Sequence, residues 1–512
     1  LDIEGSDDFN LYCIHSDQRL RLTHEFGYRK SDIEKFYEGT WSREDFEAIT
    51  DFEKKKYEEL IPILSSRLNK IHNMEKEDLF WECIFGYSLL IHISNIKRVY
   101  DHLEFLTKQP LLLSKSAETI KNLNFIPQNQ QEFRGFYEHS LNGTEQLINL
   151  YFSLFQNRLS GYRYFEQKKL TSERLQILSG KSFQNKEKFL AKLYVNRKLL
   201  LKQLVVYLVS LFKHPRFLII NALWTRQSIQ SMFLKSKGSA KVDFYQYIPK
   251  INDEAPNNVS REILAEIPNG SNNFDKFFFS SLKNAAPKSL IENFKTRKEH
   301  ANNFLNKYRK IDSLIVEGQD EDTLLLVALS KSKNIKTIMI EHNWLQHHLL
   351  GNQIWYYLRK VDKFFSLGWI DKSQDKIYPW GSLFPWSRFP ESGLVKDIDI
   401  LYISTCPHSR MAFSTGGDGD KGSYNAKTYT DMKSVFFNNL SYETCKSIYF
   451  KAYPEWRKAK LSPHYQDNIF QEEYSDKFRT YDSIGDIDTK DLINRSKLII
   501  VDYLATAYLQ AL

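Results

Sequence analysis

Apolar and polar positions change rhythm along the chain. From Ser31 to about Ser210 apolar residues recur every three or four positions between charged ones and glycine is sparse, the period of amphipathic helices. Residues 52–73 place Tyr57, Leu60, Ile61, Leu64, Leu68 and Ile71 on one stripe and predict a single helix. Residues 78–106 are apolar around most of the helical circumference and predict a central packing helix carrying Trp81, Tyr87, His92, Arg98, Tyr100 and Asp101. Its polar groups are then satisfied at the helix ends, or one end reaches a cleft. Residues 171–212 read as a further, basic helix, whose lysine stems cover apolar surface on a solvated face or lie against an anionic membrane.

From about His214 short β-rich runs alternate with helical spacers. Candidate strands are residues 216–220, 242–248, 313–317, 337–340 and 363–367, with a helix over 321–333 and an Asn-, Pro- and Gly-rich surface loop over 251–273. Strands separated by ten or more residues imply crossover units in a parallel sheet. After Trp369, Pro379, Trp380, Gly381, Pro385, Trp386 and Pro390 break regular structure and predict an interdomain crossing near Gly381. The alternation then resumes, with strands at 397–405, 447–454 and from 497 onward, and helices at 428–441 and 488–496. The expected fold class is α/β, two Rossmann-like domains facing one another with a large helical N-terminal elaboration. The divisions are 1–212, 213–380 and 381–512, the last expected to be truncated, because the chain starts without Met and stops inside the apolar run YLQAL.

The 512 residues are too many for one ordinary core, and 42% hydrophobic content is enough to build a large interior. A net charge of +8, from 71 basic and 63 acidic residues, suits phosphate-bearing ligands or an anionic membrane face and equally suits neither. The basic residues are dispersed rather than concentrated among aromatics, which argues against nucleic acid. Cys13, Cys83, Cys406 and Cys445 are scattered without a CxxC pair, which argues against a disulfide scaffold or a structural zinc site and fits a reducing cytoplasm. The run 199–212 is too short to span a bilayer, and the first residues lack the basic and then apolar character of a signal peptide.

The chemistry-bearing stretch is Lys336 to Trp369, a buried strand followed by Glu341, His342, Asn343, Gln346, His347 and His348. In parallel sheets ligands sit at the carboxyl ends of strands, where this polar cluster falls. Glu317 to Asp320 occupies the same position on its own strand, as a cleft wall or a helix cap.

The blocks FWECIFGYSLLIHISNIKRVYDHL, IEHNWLQHHLLG, DKFFSLGW, ILYISTCPHSRMAFS, FKAYPEW and IIVDYLATAYLQAL resemble a family of transferases encoded in bacterial O-antigen and surface-polysaccharide loci. The resemblance covers most of the chain as scattered blocks in order. It implies a GT-B-like fold and transfer of a sugar from a nucleotide-activated donor to a growing surface glycan or lipid-linked glycan. The family's loop of the type QHGGxYG is represented here by Glu341-His342 and Gly351 at its ends without the inner glycines, and Gln510 stands where an acidic residue is expected.

Glycosyl transfer needs a group to activate the acceptor hydroxyl and cations or dipoles to hold the leaving phosphate. Glu341, His342 or His348 is the catalytic candidate for the first need, since adjacent His347 and His348 cannot both face one point. Glu341 as a helix cap and His342 as a core imidazole are the alternatives. Lys451, Arg457, Thr506 and Arg410 are the candidates for donor and phosphate binding. No metal and no cofactor is expected; the run 416–422, GGDGDKG, lacks the closing Glu of a calcium loop and reads as a loop over the cleft. A CDP-polyol phosphotransferase and a non-catalytic nucleotide-binding scaffold are the competing readings. The expected location is the cytoplasm, with peripheral contact at the inner membrane.

Overall fold

The computed structural model describes residues 12–13, 35–36, 43–107, 118–120, 124–138, 141–155, 163–165, 215–221, 226–247, 255–308, 310–317, 320–341, 354–366, 368–380, 395–404, 432–451, 479–480 and 489–502. The fold is α/β, built on parallel sheets.

Helix α1 (Arg43–His72) turns the predicted stripe inward: Tyr57, Leu60, Ile61, Leu64 and Leu68 are all buried. It packs on α2 (Asp78–Thr107), which is apolar on all sides because it has neighbours on all sides. The window Asp78–Asp101 is long and apolar enough to cross a membrane, but 89% of it is buried in protein, so here it acts as a core helix. Some of its polar groups are paired along its length, away from its ends. Glu82 accepts from the Tyr57 hydroxyl at 3.1 Å and lies 3.1 Å from Arg359, while His92 meets Ser281 Oγ at 2.7 Å. Helix α3 (Leu141–Leu154) packs on α2. Two short parallel strands, Glu118–Ile120 and Arg163–Phe165, and a π-helical turn Arg134–Glu138 interrupt the otherwise helical region predicted to about Ser210. The predicted basic helix 171–212 lies outside the described residues.

The larger sheet has six parallel strands: β1 (Phe217–Ile220), β2 (Ala240–Asp243), β3 (Ser313–Val316), β4 (Lys336–Ile340), β5 (Lys363–Ser366) and β6 (Ile377–Pro379). They lie in the order β6-β5-β4-β3-β1-β2, so the winding reverses between β1 and β3. Helix α4 (Arg226–Lys235) connects β1 to β2. Helices α5 (Asn258–Ala265), α6 (Asn273–Ala285) and α7 (Phe294–Asn306) connect β2 to β3. Helix α8 (Glu321–Ser332) connects β3 to β4, and α9 (Ile354–Lys360) precedes β5. Residues 322–330 of α8 are all buried, because the helix packs on both the sheet and α2. One hydrophobic cluster runs from Tyr57 through α2 and α6 to Ile377.

Three boundaries differ from the sequence reading, each for a physical reason. The strand predicted at 242–248 stops at Asp243, because the N–H groups of Tyr245 and Tyr247 donate to the side chains of Asn221 and Asp322 instead of a neighbouring strand. The loop predicted at 251–273 contains α5. Its asparagines are helix caps: Asn257 accepts from Ser260 N–H at 3.0 Å, and Asn272 accepts from Asp275 N–H at 2.8 Å to start α6. The break predicted after Trp369 contains β6, an edge strand, where a proline is tolerated.

A second sheet has four parallel strands, β7 (Ile398–Ile403), β8 (Ile448–Lys451), β9 (Arg479–Thr480) and β10 (Ser496–Val501), in the order β9-β8-β7-β10. A helical segment over 432–438 and α10 (Tyr442–Ser447) lead into β8, and α11 (Thr489–Arg495) leads into β10. Two small clusters flank this sheet, Tyr402, Phe437, Ile448 and Phe450 on one face, Ile398, Leu401, Leu492 and Ile493 on the other. The predicted crossing near Gly381 lies outside the described residues.

Candidate functional site

In parallel α/β sheets the strand ends beside a reversal of winding leave a crevice, so the polar groups at the carboxyl ends of β1, β3, β7 and β10 come first. In the larger sheet those groups bond chiefly to one another. Asn221 follows β1 at φ 55°, a left-handed conformation that asparagine tolerates. Its amide donates to Tyr245 O at 3.0 Å and to Thr323 Oγ1 at 2.8 Å, and its carbonyl accepts from Tyr245 N–H at 3.0 Å. Asp320 caps α8, accepting from Thr323 N–H at 2.9 Å and from its hydroxyl at 2.6 Å. The buried guanidinium of Arg297 donates to Asp322 Oδ1 at 2.9 and 3.0 Å and to Ser289 O at 3.2 Å, and lies 3.8 Å from Glu321. Burial holds the Glu321 and Asp322 carboxyls above their usual range, with Arg297 pulling both back.

At the end of β4, Glu341 N–H donates to Phe365 O at 2.9 Å, continuing the ladder by one residue. The side chain is 2% exposed and accepts from the Trp369 indole N–H at 2.7 Å. Gly368, at φ 105°, provides the turn that brings Trp369 back, and Ser366 Oγ donates to Trp369 O. Buried Glu317 stands at the end of β3. Among the described residues this edge carries Glu317, Asp320, Glu321, Asp322 and Glu341, with the guanidinium of Arg297 on Asp322 and Glu321.

The strand ends of the smaller sheet bring lysines into play. Winding reverses at β7, which lies between β8 and β10. Ser404 N–H donates to Lys451 O at 2.9 Å and Asp502 N–H to Ile403 O at 3.3 Å, so the three strand ends are tied together. Lys433, on the helical segment between β7 and β8, reaches under them. Its buried ammonium donates to Ser404 Oγ at 2.6 Å and lies 3.8 Å from Asp502 Oδ2, which also accepts from the Tyr402 hydroxyl at 3.1 Å. Lys451, read from the sequence as a donor-binding candidate, ends β8 as a buried residue rather than a surface lysine. Lys433 and Asp502 meet at these strand ends, and Lys451 joins them through its backbone carbonyl.

Of the sequence-predicted site residues, Glu341 and Lys451 stand at carboxyl ends of strands in different sheets. His342, His348, Arg410, Arg457 and Thr506 lie outside the described residues, as do Asn343, Gln346, His347 and the run 416–422. Lys433, Ser404, Tyr402 and Asp502 were missed. Asp502 carries the signal that singled out Glu341, an acidic residue directly after an apolar strand. Lys433 carries none, since its partners are 29 and 69 positions away.

Residues 24–512 match the family described as LIC12162 family transferase. The chain belongs to that family. No curated protein matches it. As a LIC12162 family transferase the chain is an enzyme that moves a chemical group from a donor to an acceptor.

Proposed function

We propose that this LIC12162 family transferase moves a glycosyl group from a nucleotide-activated donor to a growing bacterial surface polysaccharide. In this reading residues 213–380 and 381–512 are two Rossmann-like domains in a GT-B-like arrangement, the helical region elaborates the first, and the acceptor is a glycan or lipid-linked glycan. The observation that carries the assignment is the buried Lys433–Ser404–Asp502 cluster at the reversal point of the smaller sheet, where Ser404 N–H also bonds the Lys451 carbonyl. Ammonium groups shielded from water interact strongly with phosphate, and a nucleoside diphosphate is the leaving group such a site suits. The carboxylate-rich edge of the larger sheet repels phosphate and suits a hydroxyl-bearing acceptor.

The acceptor oxygen attacks the anomeric carbon and its proton passes to a carboxylate. The bond from that carbon to the donor phosphate breaks, and the nucleotide leaves with the electron pair. Glu341, oriented by the Trp369 indole, is the proposed base, with His342 and His348 following it in sequence; Lys451, Arg457, Arg410 and Thr506 are the proposed donor contacts.

Thermal unfolding against UDP-, GDP-, CDP- and dTDP-sugars and CMP-linked acidic sugars tests this, because a ligand of the folded state raises Tm by mass action. One nucleotide class should raise Tm, and Lys451→Ala should abolish that rise. Glu341→Gln should keep it while kcat falls about 10²-fold or more, the usual scale for a general base. No rise with any nucleotide would exclude the donor reading. A response to CDP-linked polyols alone, with phosphate carried into the product, would replace glycosyl by phosphopolyol transfer.

A further inference from the structure

The amino ends of β2, β1, β3 and β4 are tied into one edge. Arg216 and Phe217 N–H donate to Ser239 O at 2.8 and 2.9 Å, Asp312 and Ser313 N–H to Arg216 O at 2.7 and 3.1 Å, and Lys336 N–H to Asp312 O at 3.1 Å. The turns that lead into β2, β3 and β4 carry two lysines each, Lys235 and Lys237, Lys307 and Lys310, and Lys333 and Lys336, all exposed. Lys333 Nζ donates to Asn306 Oδ1 at 3.0 Å, so the turns before β3 and β4 adjoin. Asp312 is the acidic residue of these turns, and Arg216 holds it at 2.6 Å. From Lys213 to Val242 the sequence contains no acidic residue. At the starts of β5 and β6, Asp362 and Asp375 alternate with Lys363 and Lys376, so the excess of positive charge stops at β4. Lysines dispersed along the sequence are thus gathered by the fold, at the end of the sheet opposite its carboxylates.

A lysine in the last turn of a helix complements the helix dipole, and Lys235, Lys307 and Lys333 stand at the ends of α4, α7 and α8. That effect fades beyond the last turn and gives no account of Lys237, Lys310 and Lys336. Neighbouring strands lie about 4.8 Å apart, so the starts of β2 and β4 are roughly 15 Å apart, less than twice the Debye length of about 8 Å in physiological salt. The six ammonium groups therefore act on a partner together. Apolar side chains stand among them: Leu234, beside Lys235, and Phe217, beside Arg216, are each 37% exposed. We propose that this edge docks the protein on an anionic bilayer surface, with the lysines on lipid phosphates and Leu234 and Phe217 at the level of the headgroups. A polyanion in water would meet the lysines equally but gives the aliphatic Leu234 nothing to bury in, which favours the lipid. Docking in this way leaves the carboxyl ends of the strands, with Glu341, facing away from the bilayer. The inference goes beyond the glycosyl reading and holds whichever group is transferred.

Co-sedimentation of the full chain with vesicles of phosphatidylglycerol and phosphatidylethanolamine tests the docking edge. Binding should occur with these vesicles, be absent with phosphatidylcholine alone, and be lost in 0.5 M salt. A lysine near an anionic bilayer contributes about fivefold to affinity, so Lys235→Gln with Lys237→Gln should weaken binding about 25-fold, as should Lys333→Gln with Lys336→Gln. Either pair decides the matter should the other fail to fold. Lys276→Gln with Lys283→Gln removes the same charge from exposed positions on α6 and should leave binding unchanged. No binding to the anionic vesicles, binding unchanged in the edge variants, or equal weakening in the α6 variant overturns the proposal. So does tighter binding to a 20-residue oligonucleotide than to the vesicles, weakened by the same edge substitutions. Donor binding is read separately by thermal unfolding, so the docking edge and the donor assignment fail independently.

Discussion

The two parallel sheets place their charges differently. Around the larger sheet and the helices packed on it, ionisable groups are inside: Glu53, Glu82, His92, Arg98, Arg297, Glu317, Glu341 and Lys360 are all buried. On the smaller sheet the pairs Arg495–Asp397 and Lys497–Asp399 lie at the surface, and the buried exceptions among the described residues, Lys433 and Lys451, stand at strand ends. Burial is tolerated there in two ways: His92 and Glu53 are held toward their neutral forms, while Arg297 with Asp322 and Glu82 with Arg359 are paired across the chain, contacts that help fix the geometry of this part. On the smaller sheet, buried charge is confined to the place where a ligand would bind. In the proposed function the larger sheet is the framework for the acceptor and the smaller sheet the side that holds the donor phosphate.

The largest effect should come from breaking the framework at its most connected charge. Arg297 is 1% exposed and its fork joins α7 to the start of α8 through Asp322 and Ser289. Arg297→Met leaves Asp322 and Glu321 buried without their cation, which in such settings costs about 3–5 kcal/mol. Urea unfolding should show a midpoint shift of that size, and a change below about 1 kcal/mol would mean that the carboxyls simply protonate. Since Asp322 also anchors Tyr247 N–H, the variant should further loosen the segment after β2, read as faster amide exchange at Tyr247.

That contact also marks how far the sequence could be read. The strands β1, β3, β4 and β5 and helices α1, α2 and α8 follow from local pattern, because continuous apolar runs and a clean 3.6-residue stripe have few other solutions. The end of β2 does not, because Asn221 and Asp322 capture the next N–H groups from 24 and 75 positions away. Helix α5 was hidden by asparagines that serve as caps, a residue type equally at home in loops. The candidate site divides the same way. Glu341 and Lys451 were legible as polar residues ending apolar strands, and Asp502 could have been found by that rule. Lys433 reads as an ordinary lysine of an amphipathic helix until the sheet brings Ser404 and Asp502 to it.

Acidity probes the same contrast with smaller effects and with opposite signs at two buried groups. Burial holds the His92 imidazole down to about 3 from an ordinary 6.5, with Ser281 and the rings of Phe133, Tyr137 and Phe278 around it. Between those values the unfolded chain binds the extra proton, so stability is full above 6.5 and is lost as pH falls toward 3. Burial pushes the Glu53 carboxyl the other way, up to about 7 from 4.5, against the pull of Arg98, Ser94 and Lys97. There the folded state holds the proton, so stability is full below 4.5 and is lost as pH rises through 7. Unfolding midpoints from pH 4 to pH 8 should therefore flatten on the acid side in His92→Gln and on the alkaline side in Glu53→Gln, each by about 1–3 kcal/mol. Parallel profiles for all three proteins would show that both groups are hydrated in the fold.

The smallest effect should come from one of the short ion pairs at the surface. Lys497 Nζ lies 2.6 Å from Asp399 on neighbouring strands β10 and β7, closer than the 2.9 Å between Arg297 and Asp322. Distance alone would rank it first. Both side chains, however, are more than half exposed, at 58% and 59%, so water and salt screen the attraction and each long side chain gives up freedom to stay in place. Lys497→Ala should cost less than about 0.5 kcal/mol, and nothing measurable in 0.5 M salt. The same substitution at Lys433, 3.8 Å from Asp502 yet almost fully buried, should cost several times more and should not be rescued by salt, because a carboxylate and a serine hydroxyl beneath the strand ends both lose their ammonium partner. Equal losses at the two lysines would mean that the strand ends of the smaller sheet are as wet as its surface, and the contrast between the two sheets would not hold.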